Sequence, residues 1–82
     1  MNKESFLVFG AGSWGTALSI QLHKAGNAVF LTSFDETNLS KTKAEKENKK
    51  YLPGIKIPEG ISIGAINEEA IARSSSILIC VK

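Results

Sequence analysis

Gly10, Gly12 and Gly15, in the stretch Gly10-Ala11-Gly12-Ser13-Trp14-Gly15, have the residue type and spacing of a phosphate-holding turn. Each glycine has a distinct task in such a turn. Gly10 permits a sharp exit from the preceding segment. Gly12 has no Cβ, so backbone can approach a pyrophosphate closely, and Gly15 lets a helix pack close to the strand before it. Free N–H groups and the positive end of a helix dipole would then face the phosphates. The context fits: Phe6-Leu7-Val8-Phe9 is a continuous apolar run of strand length, and Trp14 to Ala25 reads as a helix. Strand, G-x-G-x-x-G and helix in that order form the dinucleotide-binding fingerprint. The competing reading is a glycine-rich turn with no ligand.

The elements that must position this turn alternate along the chain. Ala17, Leu18, Ile20, Leu22 and Ala25 recur at helical spacing and are expected to face a sheet, with Gln21, His23 and Lys24 outward. Gly26 is placed to end that helix in a left-handed conformation. Ala28 to Thr32 reads as a second strand, apolar at its centre. Asp35, with Asn38 as runner-up, is placed to cap a second helix running to Asn48, in which Leu39 and Ala44 would cover the sheet. Pro53 ends regular helix, and Pro58 and Gly60 keep the chain irregular up to a short third strand, Ile61 to Ala65. Asn67 caps a helix over Glu68 to Arg73, and Ser76 to Val81 is a fourth strand. The βαβαβαβ pattern implies a doubly wound parallel α/β sheet of the Rossmann kind, first half only, with strands in the order 3-2-1-4.

Composition excludes several classes. At 82 residues the chain forms one small unit, and a chain of this size buries only about 60% of its unfolded surface. A net charge of +2 does not argue for nucleic acid. Lys41, Lys43, Lys46, Lys49 and Lys50 are interleaved with Glu45 and Glu47 and read as a solvated helix face, with a phosphate-facing role for one or two as the minority reading. No apolar stretch reaches membrane-spanning length, and no cleavable leader is evident. Cys80, the single cysteine, cannot pair within the chain and reads as a small core residue, so a reducing, cytoplasmic setting is the default. A homodimer is compatible with these limits.

The cofactor is selected at the end of the second strand, where Thr32, Ser33, Phe34 and Asp35 stand. Hydroxyls in place of a carboxylate remove the repulsion that would exclude a 2′-phosphate, and no arginine is there to attract one. The reading is NAD(P)H, with tolerance of both forms and a lean to NADPH. Phe34 either stacks on adenine or packs over the sheet edge. Asp35 reads as a helix cap rather than a ribose ligand.

Two segments carry a family resemblance. Gly10 to Leu18 resembles the opening motif of NAD(P)-dependent glycerol-3-phosphate dehydrogenases, and Asn48-Lys49-Lys50-Tyr51-Leu52-Pro53-Gly54-Ile55 resembles that family's N-x-x-Y-L-P-G segment. Ile57-Pro58 resembles the family's next apolar-proline pair. The resemblance covers the whole chain but only the opening of the family's length. It implies hydride transfer between NAD(P)H and glycerone phosphate, giving sn-glycerol 3-phosphate for glycerophospholipids. Ser13 and Trp14 would offer backbone N–H groups to the pyrophosphate. Phe34 would occupy a cofactor-contacting position at the end of the second strand, where the family often has a basic residue, and Ser33 beside it is also expected to bind the cofactor. Tyr51 would lie near the cofactor, or else anchor an irregular loop. The family continues the fourth strand with proline after valine, where this chain has Lys82, and its catalytic and substrate-phosphate lysines lie beyond residue 82. No catalytic residue is therefore expected in residues 1–82, which read as the N-terminal part of a dinucleotide-binding domain whose catalytic partner domain is absent. The rival readings are a stand-alone or remnant nucleotide module without catalysis, and a reductase of keto acids or sugar acids.

Overall fold

The computed structural model describes residues 4–80. Seven elements run in the order β1 (Ser5–Phe9), α1 (Ser13–Lys24), β2 (Ala28–Thr32), α2 (Glu36–Glu45), β3 (Ser62–Ile63), α3 (Glu68–Arg73) and β4 (Ser76–Ile79). The four strands form one sheet in the order β3-β2-β1-β4, every pairing parallel, as the alternation of strands and helices requires. Phe6 lies beside Val29 and Ser76, and Val8 beside Leu31 and Leu78. Alternation along β1 sends Val8 into the main apolar cluster and Leu7 to the opposite face. That cluster gathers Val8, Ala11, Ile20, Val29, Leu31, Leu39, Ile57, Ile61 and Ile63, with Phe6, Leu22, Leu52 and Cys80 packed against it. Cys80 is thus a partly buried core neighbour with a free thiol.

The helix ends obey local chemistry. Helix α1 stops where Gly26 takes a φ of +96°. The N–H of Gly26 then bonds the His23 carbonyl and that of Asn27 the Leu22 carbonyl, the paired bonds of a Schellman terminus. Asp35 caps α2 by accepting from Asn38 N–H at 3.1 Å, and Asn67 caps α3 by accepting from Ala70 N–H at 2.8 Å.

Several boundaries and faces depart from the sequence expectation. Helix α2 ends at Glu45, three residues before Asn48, because Lys46 adopts a left-handed backbone with φ of +54°. The chain then turns into a loop closed by the Glu47–Lys56 antiparallel bridge and by Ile57 N–H on the Lys46 carbonyl at 2.7 Å. Strand β3 holds only Ser62 and Ile63, since only those residues reach register with Phe30 and Leu31. The end expected for β4 at Val81 lies outside the described residues. The buried residues of α1 are Gly15, Thr16, Ser19 and Ile20; Ala17, Leu18 and Leu22 are half-buried and Ala25 is exposed. Gly15 must abut Gly10, which fixes the rotation of the helix and turns residues four positions on the same way. His23, expected on the outer face, shares that inward sector and is half-buried, its ring lying where a Cβ on Gly60 would be. In α2 the inward face is Asn38, Leu39 and Thr42, with Ala44 exposed.

Candidate functional site

The glycine turn occupies the C-terminal edge of the sheet, between β1 and α1. Gly10 has a φ of +117°, which a side chain would strain. Its N–H donates to the Thr32 carbonyl at 2.9 Å, while a Cβ there would strike the Cys80 carbonyl. The turn is therefore wedged between the ends of β2 and β4. A Cβ on Gly15 would strike the Gly10 carbonyl, so Gly15 sets how closely α1 docks. Gly12 differs from both. Its φ of −82° suits any residue, and no described residue lies within 4 Å of where its Cβ would be.

Gly12 is also the N-cap of α1, with no side-chain hydrogen bond to the helix and no acidic residue in the first turn. Helices α2 and α3 have a capping side chain and at least one glutamate in the first turn. The first-turn N–H groups of α1, on Ser13, Trp14 and Gly15, have no intrahelical acceptor, as in every helix. Here no described side chain caps them and no acidic residue stands in the first turn, so the positive end of α1 faces the open side of the turn.

These N–H groups border a cavity of about 430 Å³. The whole turn from Gly10 to Gly15 lines it, together with Ser33, Asp35, Tyr51 and Cys80. Seven of the eight residues expected to bind cofactor are thus brought to one cavity. Phe34 is not in its lining: it is 86% exposed and meets Phe9 edge-on, with ring centroids 4.5 Å apart. Trp14 is 71% exposed beside the opening.

The residue that sequence reasoning passed over is Asn48. Its side chain is fully buried, and its amide nitrogen donates to the Ala11 carbonyl at 2.7 Å and to the Thr16 hydroxyl at 2.9 Å. Its amide oxygen accepts from the Asn38 side chain at 3.0 Å. One asparagine therefore ties the loop after α2 to the glycine turn, to the first turn of α1 and to α2. The same loop brings Tyr51 to the cavity. Lys50 donates to the Asp35 carboxylate at 3.1 Å and sits 5.0 Å from the centre of the Tyr51 ring.

These contacts set the local charge. The Asn38 N–H and then the Lys50 ammonium hold the Asp35 carboxyl below its ordinary pKa. The Tyr51 side chain and Asp35 in turn hold Lys50 above its own. Asp35 is thus committed as a helix cap and an ion-pair partner. Among the described residues no group of His, Cys, Asp and Glu is placed to hold a metal ion, and no helix is long and apolar enough to cross a membrane.

A parallel sheet in this order, with a glycine turn feeding an uncapped helix at its C-terminal edge, defines a dinucleotide-fold protein of the Rossmann class. Comparison with known proteins narrows the class. Residues 5–82 match the model of the NAD-dependent glycerol-3-phosphate dehydrogenase N-terminus, and the chain belongs to that family. A glycerol-3-phosphate dehydrogenase [NAD(P)+] of Bartonella tribocorum is 38% identical over 81 residues, covering 99% of this chain and 24% of the relative. One of Corynebacterium glutamicum is 38% identical over 77 residues, covering 94% of this chain and 23% of the relative. A crystal structure of glycerol-3-phosphate dehydrogenase from Coxiella burnetii superposes with a TM-score of 0.85 at 34% identity, over 94% of this chain and 24% of that one. The chain spans about a quarter of the length of these proteins.

Proposed function

We propose that this chain is the NAD(P)H-binding portion of a glycerol-3-phosphate dehydrogenase. The observation that carries the reading is Gly12. Gly10 and Gly15 are required by the chain's own packing, but no described residue claims the space above Gly12. That space opens onto uncapped N–H groups in a cavity, which suits the pyrophosphate of a dinucleotide. The backbone N–H groups of Ser13, Trp14 and Gly15 would hold it. Gly10 would keep the turn tight, Ser33 and Phe34 would border the adenosine end, and Tyr51 would close one wall. When bound, the nicotinamide supplies the hydride; the protein's part is to bind and orient it. The relatives' names support dehydrogenation of glycerol 3-phosphate with NAD(P)+; the family resemblance implies glycerone phosphate as the other reactant and glycerophospholipid synthesis as the use of sn-glycerol 3-phosphate. A cytoplasmic setting fits the free thiol of Cys80.

The test is a titration of the purified chain with NADPH and with NADH, read by the fluorescence of Trp14, the only tryptophan. Saturable quenching supports the reading. No response from a chain whose circular dichroism is native would overturn it.

A further inference from the structure

The end of β2 has no cation to receive a 2′-phosphate: Ser33 is a hydroxyl, Phe34 an aromatic, and Asp35 an acid. The structure brings a cation there from elsewhere. We propose that Lys50, delivered by the loop after α2, seats the 2′-phosphate of NADPH and sets this chain's preference for the phosphorylated cofactor. The inference rests on the cofactor reading above and adds the residue that reads the ribose.

Three observations carry it. Lys50 lies against two residues of the cavity wall: its ammonium is 3.1 Å from the Asp35 carboxylate and 5.0 Å from the centre of the Tyr51 ring. The cavity at the glycine turn adjoins a second, of about 660 Å³, and Asp35 lines both. Lys50 lines the second, with Lys41 and Lys49. A dinucleotide with its pyrophosphate on α1 directs its adenosine ribose to the C-terminal end of the neighbouring strand, here Ser33. A 2′ substituent therefore points toward the Asp35 boundary, where, among the described residues, Lys50 is the cation paired with the wall.

Asp35 gives the arrangement its polarity. Its carboxylate would repel a 2′-phosphate, but the Asn38 N–H and Lys50 both oppose that charge. The Lys50 side chain is 56% exposed, so its ammonium can shift from Asp35 toward an incoming phosphate without burying an unpaired charge. The Ser33 hydroxyl accepts from Asp35 N–H at 3.1 Å and retains its own proton for donation to the same phosphate.

The experiment measures NADPH and NADH affinities, at one fixed ionic strength, for the wild-type chain and for Lys50→Gln, Lys50→Arg and Asp35→Asn. Losing a charge-assisted hydrogen bond to phosphate should weaken NADPH about tenfold in Lys50→Gln, with NADH changed less than about threefold. Lys50→Arg should restore NADPH binding, since a guanidinium also pairs with phosphate. Asp35→Asn keeps a capping acceptor and removes the repelling charge, so it should bind NADPH more tightly than wild type does. Equal weakening of both cofactors in Lys50→Gln would show that Lys50 only holds the loop, and would overturn the proposal. So would unchanged NADPH affinity in that variant. A folded wild-type chain that binds neither cofactor would instead overturn the cofactor reading itself.

Discussion

The Asn48 side chain donates to the Ala11 carbonyl at 2.7 Å, joining the loop after α2 to the middle of the glycine turn across 37 positions of sequence. Both residues are buried, and the Asn48 amide also engages Thr16 and Asn38. The shape of the turn is thus a property of the loop as well as of its glycines. Truncation in Asn48→Ala would leave three buried polar groups without this partner. At about 1–3 kcal/mol for a buried group so orphaned, the expected loss of stability is about 3 kcal/mol. In a domain of this size that lowers the melting temperature by about 10 °C or more, read by circular dichroism. A shift of less than about 2 °C would show that the loop does not anchor the turn.

The sequence is legible where the signal is local. The strand cores, the stop at Gly26 and the caps at Asp35 and Asn67 each depend on a few neighbouring residues, and the parallel order comes from alternation. The glycine turn is legible for the same reason. The features that escape depend on distant partners. The bonds of Asn48 span 37 and 32 positions, and its only advance signal is its place at the head of the N-x-x-Y-L-P-G segment. The left-handed Lys46 is a non-glycine residue, so nothing in its type announces the end of α2. The inward face of α1 carries Thr16 and Ser19, whose hydroxyls are satisfied by Asn48 and by the Gly15 carbonyl, so apolar spacing misjudges its rotation.

Asp35 makes stability sensitive to acid. Its folded pKa lies below the ordinary 3.8, first through the Asn38 N–H and then through Lys50. A carboxyl so depressed stabilises the fold above its unfolded pKa, and that contribution is lost as pH falls through the folded value. Glu47 acts in the same direction, held down first by the Gly54 N–H. Melting temperature should therefore fall on acidification below about pH 4, and less steeply in Asp35→Asn, whose cap does not titrate. Lys50 acts at the other end: its raised pKa contributes stability below 10.5 that disappears as pH rises above the folded value. Parallel acid limbs for wild type and Asp35→Asn would remove Asp35 from this account.

The 82 residues alone should not turn over glycerone phosphate. The titratable side chains lining the cavity at the glycine turn are Asp35, Tyr51 and Cys80. Asp35 is held as a cap and ion-pair partner, and Tyr51 lies against Lys50. His23 packs at Gly60, away from that lining. The expectation rests on the family resemblance, which puts the catalytic lysines beyond residue 82. The check is NADPH oxidation with glycerone phosphate, using protein purified from a host that lacks the enzyme. Turnover by such material would show that the cavity holds an acid not recognised among these residues.

Two glycines of the turn should separate folding from binding. Gly15→Ala places a methyl group on the Gly10 carbonyl and must push α1 off the sheet. Overpacking of this kind costs about 1–3 kcal/mol, so the variant should melt well below wild type, and its loss of nucleotide binding would stem from the altered turn. Gly12→Ala meets no atom of the described residues and needs no unusual backbone angle. Its stability should stay within about 1 kcal/mol of wild type, the scale of exchanging glycine for alanine at a helix N-cap. Its methyl group would nevertheless stand in the space assigned to the pyrophosphate, so NADPH and NADH affinity should both fall by more than about tenfold. Paired melts and titrations decide the matter. A Gly12→Ala chain that is stable and binds both cofactors as wild type does would place the phosphates elsewhere than above Gly12.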